Sequence, residues 1–440
     1  MRNTINTKRI EMDHNILSKF IKNEYVFSII TKFISIAIGI VQSVLLARYL
    51  GAELKGVNAY ISSIVSIGGI VITFGMHQAY PYFRKKYGKD QIYKQYVSLI
   101  IVMYFVYLMI GIFCTIILPV TYEIKAVLIL IPIYGYSRIT GYVALVETPN
   151  TRNKWWTIIS FIDIVYILIL WLFVKRNIFW GISILAFAEL CKCVSFTLIL
   201  RVKPKLEKNM LQLLIELAKY GFFPMVALLM TTLNYRIDVL MLHHYNYITD
   251  AMIGVYSLGL SLSDKIVMIP DTLKGVLVSR LAKGADEREV AKVSRIGFWA
   301  SLLFCILIFL LGKVAIHILY GNEYQGAYSI VLITSFGVLA VSYFKLIAQY
   351  NIVNKKQILN IYMLSIAIVV DVVFNLFFIP LWGIQGAALA TSFGNFVCGI
   401  VFVLYFCKKS GLSVKEMMFL QKSDIESLKK AITRKERLKK

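Results

Sequence analysis

Apolar residues run for about twenty positions at a time along this chain, and short polar segments separate the runs. The hydrocarbon core of a bilayer is ~30 Å thick, a distance that ~20 helical residues cross, so each run predicts a membrane-spanning helix. The predicted spans number twelve, at residues 25–47, 56–76, 95–118, 126–146, 155–174, 180–200, 220–242, 251–270, 296–312, 328–350, 358–379 and 383–406. The pattern predicts an all-α polytopic membrane protein.

Composition supports this fold class. The chain has 440 residues, of which 58% are hydrophobic and 16% charged, and its mean hydropathy is +0.70. A soluble chain of this length needs far more polar surface. Residues 1–24 are polar, and the apolar run that follows them is too long for the core of a signal peptide. We therefore expect 1–24 to be a cytoplasmic N-terminal segment.

The basic residues predict the orientation. With the N-terminus placed inside, 36 of the 48 Lys and Arg residues fall in inner segments, six in outer connections and six within spans. The bias alternates loop by loop, as the positive-inside rule requires. We expect both termini in the cytoplasm. The net charge of +24 then serves topology and contacts with anionic lipid, and nucleic acid is not an expected partner.

Weak internal echoes suggest a duplicated chain. The segments Gly56–Tyr60 and Gly254–Tyr256 open spans two and eight at an offset of 198, and Trp180–Ile182 and Trp382–Ile384 open spans six and twelve at an offset of 202. Both offsets correspond to six spans, so the halves would be related by a pseudo-two-fold axis along the membrane normal. The predicted organisation is two six-helix lobes, a linker and a tail: 25–200, 220–406, a basic cytoplasmic linker at 201–219 and a basic cytoplasmic tail at 407–440.

Ionisable side chains inside the spans are the candidate chemistry. A charge at the centre of a membrane helix costs roughly 2.5–3.5 kcal/mol on insertion scales, so these groups must pair, reach the interface or face a water-filled cavity. A transporter of a charged substrate needs the last arrangement. The set comprises eleven residues: Lys32, Arg138, Asp163, Glu189, Lys192, Arg236, Asp238, Asp264, Lys265, Lys345 and Asp371.

Five of the six cations fall in the cytoplasmic half of their spans, which predicts a cationic cavity able to hold phosphate. The five are Lys32, Arg138, Lys192, Lys265 and Lys345, and Arg236 completes the candidate substrate-binding set. Two alternatives stay open. Lys32, Lys265 and Lys345 lie near enough to the interface to extend to it, and Lys192 is one turn from Glu189, which would neutralise it.

A second candidate site lies in the last six spans. Asp371 and Asn375 share one face of span eleven, and Asp238 and Thr391 lie at a similar depth in spans seven and twelve. Oxygen ligands of this kind suit a hard cation, so a coupling site for Na⁺ or H⁺ is the functional hypothesis. The alternative is that Asp238 balances Arg236 or another buried charge.

No other motif indicates a cofactor. The segment Gly51–Gly56 has the glycine spacing of a phosphate loop but lacks the Lys-Ser/Thr that follows, so a turn between spans is the simpler interpretation. With no ATPase signature, we expect a secondary-type transporter and not an enzyme, with no cofactor beyond a coupling ion.

Three segments carry a resemblance to a known family. They are LLARYLGAELKGVNAY (45–60), YRIDVLMLHHYNYITDAMIGVYSLGLSLSDKI (235–266) and DVVFNLFFIPLWGIQGAALAT (371–391). They resemble the Wzx-type flippases of polysaccharide repeat units, in the multidrug/oligosaccharidyl-lipid/polysaccharide (MOP) exporter superfamily. The resemblance implies two six-helix lobes in a V shape, working by alternating access through a cationic central cavity.

The resemblance also implies a substrate and partners. Family members move undecaprenyl-diphosphate-linked oligosaccharides from the inner to the outer leaflet of the bacterial inner membrane, for O-antigen (lipopolysaccharide) or capsule assembly. A polymerase and a chain-length regulator would act beside them. Related lipid-linked peptidoglycan-precursor flippases have a sodium site whose ligands map onto Asp238, Asp371, Asn375 and Thr391. Span eleven here has Asp then Asn where those relatives have Asn then Asp.

Two other functions stay as alternatives. A drug/cation antiporter of the same superfamily would extrude cations, which five positive inner side chains would repel. A membrane polysaccharide polymerase or glycosyltransferase needs catalytic residues on a sizeable loop, and the outer connections are short. A non-transporting scaffold gives no reason for buried charges.

Overall fold

The computed structural model describes residues 24–201, 210–282, 284–354, 356–421 and 424. These residues form α-helices and one 3₁₀ turn, with no β-strand in the described ranges. The helices are α1 (Glu24–Ile72), α2 (Met76–Tyr87), α3 (Lys89–Ile117), α4 (Tyr122–Glu147), α5 (Pro149–Phe173), α6 (Ile178–Leu200), α7 (Met210–Leu233), α8 (Ile237–His244), α9 (Asp250–Ala282), α10 (Glu287–Tyr320), α11 (Ala327–Val353), α12 (Gln357–Ser410) and α13 (Val414–Met418), and the 3₁₀ turn is Asn322–Tyr324.

Ten helical segments of the described chain are long and apolar enough to cross a membrane. Two of them are 51 and 54 residues long, Ala37–Tyr87 and Gln357–Ser410, and each is long enough for two crossings. Both contain a glycine with positive φ, Gly51 (71°) and Gly383 (56°), a conformation that glycine adopts without strain. These glycines lie where the sequence separates spans one from two and eleven from twelve. The prediction of an all-α polytopic membrane protein is confirmed.

Span seven is not the continuous helix that was predicted at 220–242. It consists of α7 and the eight-residue α8, joined by a turn at residues 234–236. In this turn, the backbone N–H groups of Tyr235 and Arg236 donate hydrogen bonds to the carbonyls three residues earlier. The side-chain Nδ2 of Asn234 donates to Asn395 Oδ1 at 3.0 Å. The break leaves Asp238 in the first turn of α8, where backbone N–H groups favour negative charge.

Several helices are also longer than the predicted spans. Span two was predicted to end at 76, but a turn at 73–75 leads into α2, which continues to Tyr87. Spans eight and nine, predicted at 251–270 and 296–312, belong to α9 and α10, of 33 and 34 residues. The apolar run alone set the predicted ends, whereas the helices continue through amphipathic turns that carry their own charges.

The chain divides into two compact units. The first contains residues up to Leu50 and Ile64–Met225, and the second contains Gly51–Ser63 and the chain from Val226 onward. The lobes predicted at 25–200 and 220–406 differ from these units in that 51–63 groups with the second unit and α7 up to Met225 with the first. Residues 210–219 of the predicted linker are helical, and 202–209 lie outside the described residues, as do most of segment 1–24 and residues 425–440 of the tail.

Each unit packs around one central helix. The central helices are α4 in the first unit, with 61% of its most apolar stretch buried, and α11 in the second, with 67%. By contrast, α3 and α10 expose large apolar side chains along their length, among them Phe113 and Phe309. Such apolar exposure is suited to lipid. Arg138 lies on α4 and Lys345 on α11, so each central helix carries one predicted substrate-binding cation.

Candidate functional site

The predicted acidic site is a buried cluster within the second unit. Asp238 is 1% exposed, and its Oδ1 accepts from the amide of Val239 at 2.9 Å. Its Oδ2 accepts from the hydroxyl of Thr391 at 3.1 Å and from the hydroxyl of Tyr256. The two hydroxyls are 3.1 Å apart. Neutral donors occupy both of its oxygens, and Arg236 interacts with Asp238 electrostatically, so the alternative that Asp238 balances Arg236 stays open.

Asp371 and Asn375 lie on one face of α12, as their spacing predicted. Asn375 Nδ2 donates to Asp371 Oδ1 at 3.1 Å and to the Asp371 carbonyl at 3.0 Å. Asp371 Oδ2 and Asn375 Oδ1 are buried, and no described residue donates a hydrogen bond to either oxygen. A Cβ at Gly394 would lie 2.8 Å from the Cβ of Asp371, so the second half of α12 packs directly against this pair. Asp371 also interacts electrostatically with Asp238.

The donor set fits a cation. A buried acceptor without a donor costs roughly 1–3 kcal/mol, and two such oxygens next to a second carboxylate form a site that a positive ligand would complete. Carboxylate, amide and hydroxyl oxygens are the ligands that hard cations prefer. No group of three or more His, Cys, Asp or Glu occurs in the described part of the chain, so a transition-metal site is not indicated there.

Tyr256 was missed as a site residue. It is fully buried on α9 and it connects Asp238 to Thr391. In the sequence, Tyr256 stood out only as a member of the Gly-Val-Tyr segment that is repeated at the start of span eight. Its partner Asp238 is 18 residues away and Thr391 is 135 residues away, and no periodicity links positions so separated on different helices.

The cations of the second unit that the sequence predicted to bind substrate lie in a cluster that also contains carboxylates. Asp264 is exposed and interacts electrostatically with Arg236, Lys265 and Lys345. Lys345 Nζ lies 3.6 Å from Asp271 Oδ1 and 5.4 Å from the centre of the Tyr235 ring. Lys55, predicted in an outer connection, is helical and interacts with Arg236. Asp238 also interacts electrostatically with Arg236 and Asp264. The cluster therefore contains four cations and three carboxylates: Lys55, Arg236, Lys265, Lys345, Asp238, Asp264 and Asp271.

The predicted substrate-binding cations of the first unit are Lys32, Arg138 and Lys192, and the side chains of Arg138 and Lys192 lie in different surroundings. Lys192 Nζ lies 2.6 Å from Glu189 Oε1, so the alternative in which Glu189 neutralises it describes the geometry. Arg138 is half-buried on α4 and donates to the hydroxyl of Tyr134 at 3.1 Å. Among the described residues, no carboxylate oxygen lies within 4.0 Å of its guanidinium. Lys32 belongs to α1, and its side chain lies outside the described part of the structure.

Comparison with known proteins identifies related folds. No protein-family model matches the sequence. The capsular polysaccharide biosynthesis protein CapF of Staphylococcus aureus is 25% identical over 174 residues, which cover 37% of this chain and 44% of CapF. The match therefore spans less than half the length of that curated relative.

Solved structures match over most of the chain. The lipid II flippase MurJ, in an inward-closed conformation, has a TM-score of 0.69 at 16% identity, covering 90% of this chain and 89% of MurJ. An inward-facing MATE multidrug resistance transporter of the MOP superfamily has a TM-score of 0.61 at 12% identity, covering 85% and 94% of the two chains. Identities this low establish the fold alone. This chain has the fold of the MOP superfamily transporters.

Proposed function

We propose that this chain is a flippase that moves an undecaprenyl-diphosphate-linked oligosaccharide repeat unit across the bacterial inner membrane for capsule or O-antigen assembly. The observation that carries the proposal is the Arg138 guanidinium, which lies in an apolar span and has no carboxylate oxygen within 4.0 Å among the described residues. Such a charge is costly in a membrane unless water or an anionic ligand solvates it. A lipid-linked diphosphate supplies that anion on each transport cycle.

Arg138 is the strongest single candidate for a substrate contact. Its guanidinium stays charged at any physiological pH, and its fork of N–H donors matches phosphate oxygens. Its described partner is a neutral tyrosine hydroxyl, which leaves the charge and the remaining donors for a ligand. In the second unit, four cations including Lys55 interact with three carboxylates, and this excess of one positive charge also favours an anion. Lys192, paired with Glu189, has a weaker claim.

The nature of the substrate is supported by two relatives. MurJ is named for its flipping of lipid II, a lipid-linked molecule, and CapF for capsular polysaccharide biosynthesis. A drug/cation antiporter fits the cationic side chains less well, although one fold neighbour is a multidrug resistance transporter. A polymerase or glycosyltransferase is disfavoured because the fold neighbours are transporters. We expect a multi-pass protein with both termini cytoplasmic, working beside a polymerase and a chain-length regulator.

We also propose that a cation gradient drives transport. Asp238, Asp371, Asn375 and Thr391 would hold the cation, and Tyr256 would orient Asp238. The two donor-free oxygens of Asp371 and Asn375 support this assignment. The coupling ion would be Na⁺, or H⁺ if the carboxylates take up protons instead.

The decisive experiment is deletion in the native bacterium, followed by analysis of undecaprenyl-linked intermediates. A flippase predicts that the completed repeat unit accumulates, still attached to its lipid and facing the cytoplasm. Accumulation of unfinished units would point to a glycosyltransferase. Units that reach the outer leaflet but stay unpolymerised would point to a polymerase. Normal intermediates together with greater sensitivity to cationic drugs would point to an antiporter.

Arg138→Ala in the complemented deletion strain tests the cationic contact directly. We expect surface polysaccharide to be lost while membrane levels of the protein stay normal, because the substrate phosphate loses its bidentate partner. Arg138→Lys should retain part of the activity, since it keeps the charge. The exposed Arg288 provides a matched control in Arg288→Ala, which should support normal polymer. Full polymer from Arg138→Ala would remove Arg138 from the substrate site.

A further inference from the structure

Asp163 is a buried carboxylate in the first unit that the proposed transport function does not use. It lies on α5, is 2% exposed, and accepts a hydrogen bond at Oδ2 from the side-chain amide of Gln42 on α1. Its other oxygen, Oδ1, is buried and receives no hydrogen bond within the part of the chain that the structure describes. If Asp163 were ionised, one carboxylate oxygen would accept a hydrogen bond and the other would be buried without one. The unpaired oxygen would raise the free energy of the folded protein, because the apolar surroundings of a membrane span supply no replacement donor.

The charges around Asp163 do not balance. Asp163 interacts electrostatically with Lys192, with Glu189 and with the thiol of Cys191. All three of these neighbours lie on α6. Lys192 Nζ is 2.6 Å from Glu189 Oε1, and Glu189 also accepts from the hydroxyl of Ser137 on α4. The single lysine is therefore committed to Glu189. If every group were ionised, this part of the unit would hold one negative charge without a partner.

A metal cation is a poor candidate for neutralising that charge. Hard cations take six or more oxygen ligands. Here the amide of Gln42 turns its nitrogen toward Asp163, and a single donor-free carboxylate oxygen remains. A proton needs only that oxygen, and a protonated carboxyl can itself donate a hydrogen bond.

We propose that Asp163 is a proton-binding site of the first unit, protonated as long as Lys192 is paired with Glu189. When Lys192 turns from Glu189 toward Asp163, the Asp163 carboxyl loses its proton to water and becomes the anion of the new pair. Glu189 then takes up a proton from water, so the three groups together stay neutral. The site would make the conformation of Lys192 depend on proton exchange.

Infrared spectroscopy of the purified full-length protein tests this inference without any substrate. A protonated carboxyl has a carbonyl stretch distinct from that of a carboxylate, and the band shifts in D₂O. We expect Asp163→Asn to remove one such band at neutral pH. The exposed carboxylate Glu53 provides the control, because Glu53→Gln should leave that band in place. A spectrum of Asp163→Asn that retains every protonated-carboxyl band of the wild type would overturn the proposal.

Glu189→Gln provides a second, independent test that leaves Asp163 in place. Without the Glu189 carboxylate, Lys192 is free for Asp163, so the Asp163 band should disappear as the carboxyl ionises. Lys192→Gln should keep the band, because no cation is then available to replace the proton. A band that survives Glu189→Gln would contradict the exchange. Since neither readout involves lipid or sugar, failure here would leave the flippase proposal standing.

Discussion

Each unit contains a pair of carboxylates within its apolar helices, but the two pairs are neutralised in different ways. In the first unit, Asp163 and Glu189 share one resident cation, Lys192, which pairs with Glu189. In the second unit, Asp238 and Asp371 have no Lys or Arg nitrogen within 4.0 Å among the described residues. Their hydrogen-bond donors are neutral: the hydroxyls of Tyr256 and Thr391, the amide of Asn375 and one backbone N–H.

This difference indicates what each cluster can bind. A resident lysine leaves the first cluster one charge short of neutrality, which a single proton supplies at a single free oxygen. In the second cluster, which comprises Asp238, Asp371, Asn375, Thr391 and Tyr256, no described lysine or arginine lies within ion-pair distance of the carboxylates. Arg236 interacts with Asp238 only at longer range, and a carboxylate and an amide each offer an oxygen without a donor among the described residues. Buried charges need a partner, so the second cluster is the one suited to an exchangeable cation. The two proposals, coupling to a gradient and exchange of a proton, thus concern different units.

The largest expected effect on transport is that of Asp371→Asn. The substitution keeps the size of the side chain but removes one of the two charges that would hold the cation. We expect flipping by proteoliposomes to lose its dependence on an imposed Na⁺ or proton gradient. Glu53→Gln, which alters an exposed carboxylate of the same unit, should keep that dependence. If gradient dependence in Asp371→Asn equalled that of the wild type, the contrast between the two clusters would fail at its main point.

A smaller effect is expected from Tyr256→Phe. The phenol donates to Asp238, and a hydrogen bond to a charged group contributes roughly 1.5–3 kcal/mol. Without it, the ion-free protein should be destabilised by about that amount, and a bound cation should restore most of the loss. Thermal unfolding with and without Na⁺, and at low and neutral pH, measures this. A Na⁺ or pH shift no larger than in the wild type would exclude Tyr256 from the site.

The sequence was sufficient for the spans and for one half of the second cluster. Apolar runs located the crossings because lipid imposes a minimum length on each helix. The i, i+4 spacing placed Asn375 beside Asp371, since neighbours on a helix face need no tertiary information. Both inferences depend on local geometry alone.

The features that the sequence did not predict depend on contacts between residues far apart in the chain. The break in span seven accompanies a hydrogen bond between Asn234 and Asn395, which are 161 residues apart. The close crossing of α1 and α9 depends on two glycines. A Cβ added at Gly56 would lie 1.8 Å from a backbone oxygen of α9, and one added at Gly254 would lie 1.9 Å from a backbone oxygen of α1. Hydropathy treats such residues as ordinary members of an apolar run, because their role exists only once the partner helix is in place.

The smallest effect on transport is expected at a third charged pair, which lies at the tail and has both partners present. Arg295 binds Asp424 through Nε at 2.7 Å and Nη2 at 3.0 Å, and the Arg295 and Asp424 side chains are only 5% and 0% exposed. Trp299 also donates to the Met418 carbonyl at 2.9 Å, and Met417 is buried. These contacts attach the first part of the tail to α10.

Asp424→Asn should detach this segment without altering gradient-driven flipping. Burial by itself would raise the pKa of the Asp424 carboxyl. The hydrogen bonds from Arg295 and from the backbone amide of Gln421, together with the positive charges of Arg295 and Lys292, outweigh burial and hold the pKa below its ordinary value of 3.8. The folded-state pKa is depressed, so the pair stabilises the docked tail at pH values above 3.8 and the stabilisation is lost as pH falls through the lower, folded-state pKa. Hydrogen exchange at residues 411–421 should therefore rise in Asp424→Asn at neutral pH, and in the wild type only in acid. Arg295→Lys should give an intermediate rise, because it keeps the charge but not the two-point contact. Exchange that stays slow in Asp424→Asn would mean that the apolar contacts of Met417 hold the tail without the ion pair.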